Sequence, residues 1–415
     1  GGIFLIVYIV ACLLVGIPIL ISEHSIGRHG QGDAYRSFTV IAKERGSKHT
    51  RAWGVCGFIG ILTAFVMYTY YVVVGGWVVN YFVKSITTPL TTLDSGVFAA
   101  MISDPWEPLI FTVIFTLLTF AIVFSGVQSG IEKAAKTMMP LLFILLIVIC
   151  AFVLTLPGSS EGLKYLFLPN TENMRSAGGF GKVALSAMCQ AFWSLSLAEG
   201  IMVIFGSYQP KSAKLVSNAV WVAVLDLCVA MLAGTSILGA VFAFGQEPTA
   251  GTGLLFGTLP MVFGAMGAVG KVIAIVFFFC VILAALTSAI SLLEVMTSFL
   301  SESCHIERRK ALVFAALVAF CFSLLASLSN GVLSGVSIGG MNIFDALGYL
   351  AETLLLPISS LIIVIFVGWI WKPQNALQEI TNEGTLPFKL SGAWSFLIKY
   401  IIPLGIVYIF VSGVM

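Results

Sequence analysis

Five acidic side chains lie well inside long apolar stretches of the sequence, where ionisable groups are rare. They are Glu199, Asp226, Glu294, Asp345 and Glu352. A charge at the centre of a membrane helix costs roughly 2.5 kcal/mol or more, so such residues usually face a cavity or a partner and line a pathway. A carboxyl can also be protonated, or hydrogen-bonded to a neighbouring helix, for structural reasons alone. The five together favour ion or substrate binding for at least some of them.

The stretch from Gln190 to Gly200 places two serines, an acid and a glycine in the middle of an apolar run. This composition is typical of a broken helix. Unpaired backbone at membrane depth is tolerated only where it lines a cavity or a binding site, and transporters use such half-helix ends to bind ions and substrates. Gly and Ser are also common where two membrane helices pack closely, so both interpretations stay open.

Two more apolar runs carry oxygen ligands that suit a cation. The hydroxyls of Thr287 and Ser288 follow one turn after the Ala284 carbonyl, and uncharged oxygens of this kind favour Na⁺ over a soft metal. Alternatively, each hydroxyl bonds to the carbonyl one turn earlier. Asp226 shares a helix face with the small residue Ala230, along which another backbone can approach, and is a second candidate cation ligand.

A possible gate lies between Gly130 and Pro140, which open another apolar run. Proline removes one backbone hydrogen bond and clashes with the carbonyl four residues earlier, so this helix end can unwind. A gate and a static kink are equally compatible with the pattern.

The elements that position these residues are predicted to cross a lipid bilayer. Of 415 residues, 59% are hydrophobic and 10% are charged, whereas soluble domains have about 45 to 50% and about 25%. Apolar runs of about 20 residues suffice to cross the hydrocarbon core. Ten candidate spans cover residues 3–22, 53–83, 109–124, 137–156, 183–206, 215–244, 269–300, 311–328, 344–371 and 394–411. We therefore predict an all-α polytopic membrane protein with one transmembrane domain over residues 1–415.

The basic residues predict how these spans are oriented. Most of the 21 Lys and Arg residues fall in alternate connections, at positions 28, 36, 43, 45, 48, 51, 133, 136, 211, 214, 308, 309, 310, 372 and 389. The positive-inside rule makes that side cytoplasmic. Gly1 then lies outside, an arrangement that requires a cleaved leader or, as we expect, one more span upstream.

Enzymatic and nucleic-acid-binding functions find no support in the sequence. The net charge of +2 predicts no basic surface for nucleic acid. The four histidines and eight cysteines show no metal-ligand spacing and no Cys-x-x-Cys pair. Because no catalytic constellation is recognisable either, neither an enzyme nor an organic cofactor is expected.

Taken in order, these segments resemble the neurotransmitter:sodium symporter family, most closely its bacterial amino-acid transporters. The resemblance is carried by residues 1–8, Gly16 to Pro18 with Glu23, Tyr70, Tyr71 and Trp77, and by segments 130–140, 190–200 and 284–291. It extends over essentially the whole chain and implies the inverted-repeat fold of the leucine transporter. The ten spans correspond to the family's second to eleventh helices, so its first helix, which supplies backbone to both sodium sites and to the substrate, is expected before Gly1.

The resemblance also implies roles for individual residues. A substrate site would include Tyr71, which donates to the substrate carboxylate, with Trp193 as a lid; its other members would be Met67, Phe192, Ser196, Glu199, Ser288, Ser291 and Leu292. Two Na⁺ ions are expected, the first at Ser194 and Asp226, the second at the Ala284 carbonyl and the hydroxyls of Thr287 and Ser288. Asp345 resembles the acidic member of the outer gate and Glu302 that of the cytoplasmic gate, while Gly130 and Pro140 would allow the cytoplasmic gate to open.

Two positions depart from the family pattern. Chloride-dependent members usually carry Ser one turn after an Asn, whereas Ala230 and Asp226 stand at these positions. We therefore expect a chloride-independent transporter in which Asp226 supplies the fixed negative charge. Glu199 stands where relatives with apolar substrates carry an apolar residue. It either pairs with a cationic or hydrogen-bonding substrate group, or stays protonated and narrows the pocket.

The expected function is import of an amino acid or related small amine across the plasma membrane by a Na⁺-coupled symporter that works by alternating access. The alternative is a transport-derived channel or sensor that keeps the same sites without concentrative uptake. The sequence leaves the oligomeric state open.

Overall fold

The computed structural model describes residues 1–246 and 251–414, whose regular secondary structure is helical apart from one isolated β-bridge between Ile338 and Met341. The helices are α1 (Gly2–Gly30), α2 (Ala34–Glu44), α3 (Thr50–Thr87), α4 (Ser95–Ser103), α5 (Glu107–Phe124), α6 (Val127–Leu154), α7 (Ser159–Phe167), α8 (Thr171–Ser176), α9 (Phe180–Ser194), α10 (Ile201–Ser207), α11 (Leu215–Ala243), α12 (Gly251–Ala265), α13 (Gly267–Glu302), α14 (Arg308–Leu328), α15 (Ile343–Trp371), α16 (Pro373–Ile380) and α17 (Ser391–Ser412). The predicted all-α architecture is confirmed.

The ten predicted spans correspond to nine continuous helices and one broken crossing. Within the described part of the chain, nine helices are long and apolar enough to cross a membrane: α1, α3, α5, α6, α11, α13, α14, α15 and α17. The tenth predicted span, residues 183–206, consists of two shorter helices, α9 and α10, with residues 195–200 between them. The interruption predicted from composition is therefore real, and the crossing is made by two half-helices.

Two helix boundaries differ from the sequence prediction. Helix α1 continues to Gly30 rather than ending at residue 22, because Glu23, His24 and Arg28 are buried by protein and need not lie outside the membrane. Helix α6 begins at Val127 rather than residue 137 and stays wound through Pro140. The predicted unwinding near Pro140 is therefore absent in this conformation.

Small residues let the helices around the broken crossing approach each other closely. A Cβ on Gly27 of α1 would collide with the backbone carbonyl of Val203 in α10, and one on Gly206 would lie 2.5 Å from the His24 carbonyl oxygen. Such contacts between small residues are a common means of packing membrane helices. These contacts hold α10 against the C-terminal part of α1, next to the unwound residues 195–200.

The outer faces of the long helices carry large apolar side chains, as a lipid-facing surface requires. Leu117, Ile147, Val272, Phe314 and Leu317 each expose more than half of their surface. Helices α3 and α13 pack against each other along much of their length inside this shell.

Candidate functional site

The unwound segment, residues 195–200, is held in an unusual backbone conformation. Ser196, Ala198 and Gly200 have φ of +49°, +64° and +75°. A residue with a Cβ is strained in this region, so the surrounding structure must hold it there. Because the helix is interrupted, backbone groups that a continuous helix would pair are free to bind other partners.

Glu23, Ser359 and Gly60 hold the unwound segment from three sides. The fully buried carboxylate of Glu23 accepts the backbone N–H of Ala198, with both oxygens 3.2 Å from the nitrogen. The Ser359 hydroxyl donates to the Ala198 carbonyl at 2.7 Å. A Cβ on Gly60 would lie 3.3 Å from that same carbonyl oxygen, so a larger residue would crowd it. The break is therefore built into the packing of three other helices.

The two residues predicted for the first sodium site lie in contact. The Ser194 hydroxyl, at the end of α9, is 2.6 and 2.7 Å from the two carboxylate oxygens of Asp226 in α11. Tyr8 of α1 completes the group, because its hydroxyl is 2.9 Å from the Ser194 hydroxyl and 3.0 Å from Asp226 Oδ2. Sequence reasoning assigned no role to Tyr8. The available signal was a phenol in an apolar run, whose hydroxyl needs a partner when buried.

The oxygens predicted for the second sodium site also lie close together. Some of them are hydrogen-bonded to one another. The Thr287 hydroxyl donates to the Ala284 carbonyl at 2.8 Å, and the Ser291 hydroxyl donates to the Thr287 carbonyl at 3.0 Å. The bonding one turn back that was the structural alternative thus occurs at Thr287, and Ser291 bonds in the same way. The Ser288 hydroxyl instead bonds to the Tyr71 side chain, which joins this group to the predicted carboxylate-binding tyrosine.

The residues predicted to line the side-chain pocket are largely shielded from solvent. Met67 and Leu292 are 3% and 2% exposed, and Phe192 is 3% exposed. Glu199, in the unwound segment, is 2% exposed, and its Oε1 atom has no hydrogen-bond partner among the described residues. A polar atom buried in this way costs free energy unless an occupant of the pocket satisfies it.

A cavity of about 350 Å³ lies between α9, α15 and α17. Its lining includes Phe192, Trp193 and Glu352. The Tyr70 hydroxyl donates to Glu352 at 2.7 Å, and Trp193 is 40% exposed. Trp193 therefore lies between this cavity and the unwound segment, where the lid was predicted.

Two of the five intramembrane acids differ from the sequence interpretation. Asp345 does not lie well inside a span, because α15 begins at Ile343 and leaves Asp345 exposed in its first turn, without an ion pair among the described residues. Glu294 is fully buried, but Arg308 pairs with both of its oxygens at 2.9 and 2.7 Å. It therefore links α13 to α14 rather than facing a pathway.

Glu302 lies on the basic side of the molecule, at the end of α13. Its carboxylate accepts the backbone N–H of Asp33 at 2.6 Å, and the Asp33 side chain in turn accepts the Ser303 hydroxyl at 2.5 Å. Burial raises the pKa of Asp33, while the hydrogen bonds from Ser303 and the Arg36 amide oppose that rise. The two predicted gate acids, Asp345 and Glu302, thus lie at opposite ends of the helix bundle.

Comparison with known proteins shows which family and which fold the chain is similar to. The model of the Sodium:neurotransmitter symporter family matches residues 1–98 and 100–415. The sodium-dependent transporter YhdH of Bacillus subtilis is 32% identical over 99% of the chain and 90% of its own length, and a sodium-dependent transporter of Haemophilus influenzae is 31% identical over 100% and 90%. The crystal structure of MhsT in complex with L-phenylalanine superposes with a TM-score of 0.88 at 37% identity, covering 100% of this chain and 92% of that one.

Proposed function

The chain belongs to the sodium:neurotransmitter symporter family, and from that membership we propose that it imports an amino acid or related small amine across the plasma membrane, driven by two Na⁺ ions. The family consists of sodium-dependent transporters rather than enzymes, so a small-molecule substrate and sodium are its cargo. The observation that carries the proposal is the unwound segment between α9 and α10, flanked by two groups of oxygen ligands. Such broken helices bind ions and substrates at the membrane midplane.

The first sodium site would use the Asp226 carboxylate and the Ser194 hydroxyl, and the second the Ala284 carbonyl with the hydroxyls of Thr287 and Ser288. A hard cation prefers such oxygens, and the short contacts within each group allow a single ion to reach its members together. The substrate carboxylate would accept the Tyr71 hydroxyl near Ser288. Inward movement of each charge across 100 mV supplies about 2.3 kcal/mol.

Transport is proposed to be independent of chloride. Asp226 places a fixed carboxylate where a chloride-dependent protein would need a bound anion, and the hydroxyls of Tyr8 and Ser194 both point to it. A bound anion beside it would be repelled by the negative charge already present. Uptake that collapses when chloride is replaced by gluconate would contradict this part of the proposal.

Reconstitution in liposomes tests the proposal as a whole. Labelled amino acids would be offered under an imposed inward Na⁺ gradient, with choline in place of Na⁺ as the control. Concentrative uptake that disappears in choline supports a symporter. Flux that only equilibrates the label indicates a channel, and binding without flux indicates a sensor.

A further inference from the structure

Among the described residues, Glu199 is a buried acid whose Oε1 atom has no hydrogen-bond donor, in contrast to the other fully or almost fully buried glutamates. Glu294 is paired with Arg308, and Glu23 accepts the Ala198 amide. Glu199 is 2% exposed, and its Oε1 atom has no hydrogen-bond donor among the described residues. The described ion pairs include none to Glu199. The missing partner is therefore expected to arrive with an occupant of the pocket.

Glu199 requires a hydrogen-bond donor whether its side chain is ionised or protonated. An ionised carboxylate has two acceptor oxygens, and a protonated carboxyl still has one carbonyl oxygen that accepts. Leaving a buried acceptor unpaired costs the desolvation of that oxygen without a compensating hydrogen bond. In either state the pocket favours a ligand that presents an N–H or O–H group to Glu199.

The surroundings of Glu199 favour a ligand group that is also positively charged. Glu23 and Glu352 both interact electrostatically with Glu199, and like charges at short range repel. A cation placed among them would be attracted to each. Met67 and Leu292 of the predicted pocket lining are buried and apolar, so they can pack against the methylene stem that carries such a charge.

We propose that Glu199 makes the protein selective for amino acids with a basic side chain, with lysine and arginine as the model ligands. This inference rests on the function proposed above, because it places the side chain of the transported amino acid in the pocket next to the unwound segment. Tyr71 and Ser288 would take the carboxylate end of the same molecule. The side-chain cation would then pair with Glu199.

The test compares uptake with direct binding for the same ligands. Na⁺-driven uptake of lysine, arginine, glutamine, leucine and phenylalanine would be measured in liposomes, and binding would be followed by calorimetry in detergent with Na⁺ or choline. The variants are Glu199→Gln, which keeps an acceptor oxygen but removes the charge, and Glu199→Met, which removes both. Glu172→Gln, at an exposed position in the short helix α8, is the matched control.

We expect lysine and arginine to bind and to be taken up in preference to leucine. Glu199→Gln should weaken lysine binding about 30-fold or more, as loss of one partner of a buried ion pair does, while the control remains unchanged. The Glu199→Met variant should bind leucine at least as well as the unaltered protein. Leucine binding by this variant would show that it is folded.

The possible failures are distinguishable. Na⁺-driven uptake of leucine with no binding of lysine or arginine would overturn the selectivity but leave the symporter intact. Equal loss of leucine and lysine binding in Glu199→Gln would also overturn it, because Glu199 would then pair with the amino group that all amino acids share. Na⁺-dependent lysine binding without uptake would support the selectivity and overturn the transport function. No binding of any amino acid would overturn both.

Discussion

At the scale of single residues, Tyr8, Ser194 and Asp226 form the group to which the first Na⁺ is proposed to bind. Two hydroxyls donate to one carboxylate in a segment that is otherwise apolar. Hydrogen bonds to the charged form of a carboxylate stabilise that form, as does a cation beside it. In the proposed site, a bound Na⁺ and these two hydroxyls would act on the same carboxylate.

Replacing Asp226 by Asn is therefore expected to weaken Na⁺ binding. The substitution keeps the size of the side chain but removes the fixed charge, and a change on the order of tenfold in the Na⁺ concentration for half-maximal uptake corresponds to about 1.4 kcal/mol. The measurement is the Na⁺ dependence of uptake in liposomes. Tyr8→Phe removes one donor but keeps the carboxylate, so it should have a smaller effect. An unchanged Na⁺ dependence in Asp226→Asn would rule out a role for this residue in the site.

At the scale of helices, the close contact between α1 and α10 determines how firmly the inner half of the broken crossing is held. Gly27 faces the Val203 carbonyl with no room for a side chain, and Gly206 faces the His24 carbonyl in the same way. Because both neighbours are backbone atoms, they cannot yield as a flexible side chain would. The half-helix α10 thus depends on α1 for its position.

Gly27→Ala is expected to destabilise the protein by about 1 to 3 kcal/mol, because the added methyl group forces the two helices apart. Gly348→Ala is the matched control, since Gly348 also lies in a helix but has open space where its Cβ would be. Its effect should be neutral or slightly stabilising, by up to about 1 kcal/mol. Thermal unfolding midpoints in detergent compare the two variants. Equal midpoints would contradict the close contact.

Ion pairs of Glu379 connect helix α16 to the C-terminal end of α1. The Glu379 carboxylate is 2.6 Å from Arg28 Nε and 2.8 Å from Lys211 Nζ, and Arg28 also donates to the Ala213 carbonyl at 2.8 Å. Burial alone would raise the pKa of Glu379. Hydrogen bonds from His29, Lys211 and Arg28 outweigh this and lower the pKa to about 2. The ionised form is therefore bound more tightly in the folded protein.

Because the pKa of Glu379 is lower in the folded protein than its ordinary value, the free energy of unfolding is predicted to fall as the pH is lowered. A folded-state pKa below the ordinary value of 4.5 stabilises the protein above pH 4.5, and the contribution is lost as the pH falls toward 2. Its size is on the order of 3 kcal/mol. Glu379→Gln should be less stable than the unaltered protein at pH 6, and the gap should narrow as the pH falls through this window. Unfolding followed in detergent from pH 6 to pH 3 measures it; a constant gap would contradict the assignment.

At the scale of the whole molecule, the two ends of the helix bundle carry different charged groups. The basic connections share one end with the ion pairs of Glu379 and with the hydrogen bond between Glu302 and Asp33, while the exposed Asp345 lies at the other end, in the first turn of α15. Alternating access requires such a difference, because the central site must open to one end at a time. In this conformation Phe192 lines the cavity of α9, α15 and α17 and is itself buried.

The orientation predicted from the basic residues can be checked by chemical labelling. In a variant with all eight cysteines replaced, a single cysteine would be introduced as Lys48→Cys or as Glu172→Cys. A membrane-impermeant maleimide should label Glu172→Cys in intact cells, whereas Lys48→Cys should react only after the cells are permeabilised. The reverse pattern would place the basic connections outside and contradict the proposed direction of import.

The sequence alone was sufficient to predict the membrane class, the number of crossings and the place of the broken helix. These features depend on local properties: the length of an apolar run relative to the bilayer, and the loss of helical pairing where Ser, Glu and Gly interrupt the run from Gln190 to Gly200. The resemblance of short motifs in the correct order added the family. Helix ends were predicted less well, because α1 continues through polar residues that are buried only by tertiary contacts.

Only the tertiary structure decided which polar groups meet. Tyr8 reaches Ser194 and Asp226 from 186 and 218 residues away, and no local pattern encodes such a pairing. The same packing gives Glu294 an arginine and leaves Glu199 Oε1 without a donor in the described part of the chain, although both appeared in the sequence as acids in apolar runs. The free energy of a buried charge depends on the partners that surround it, and those partners are brought together only by the packing of helices distant in sequence.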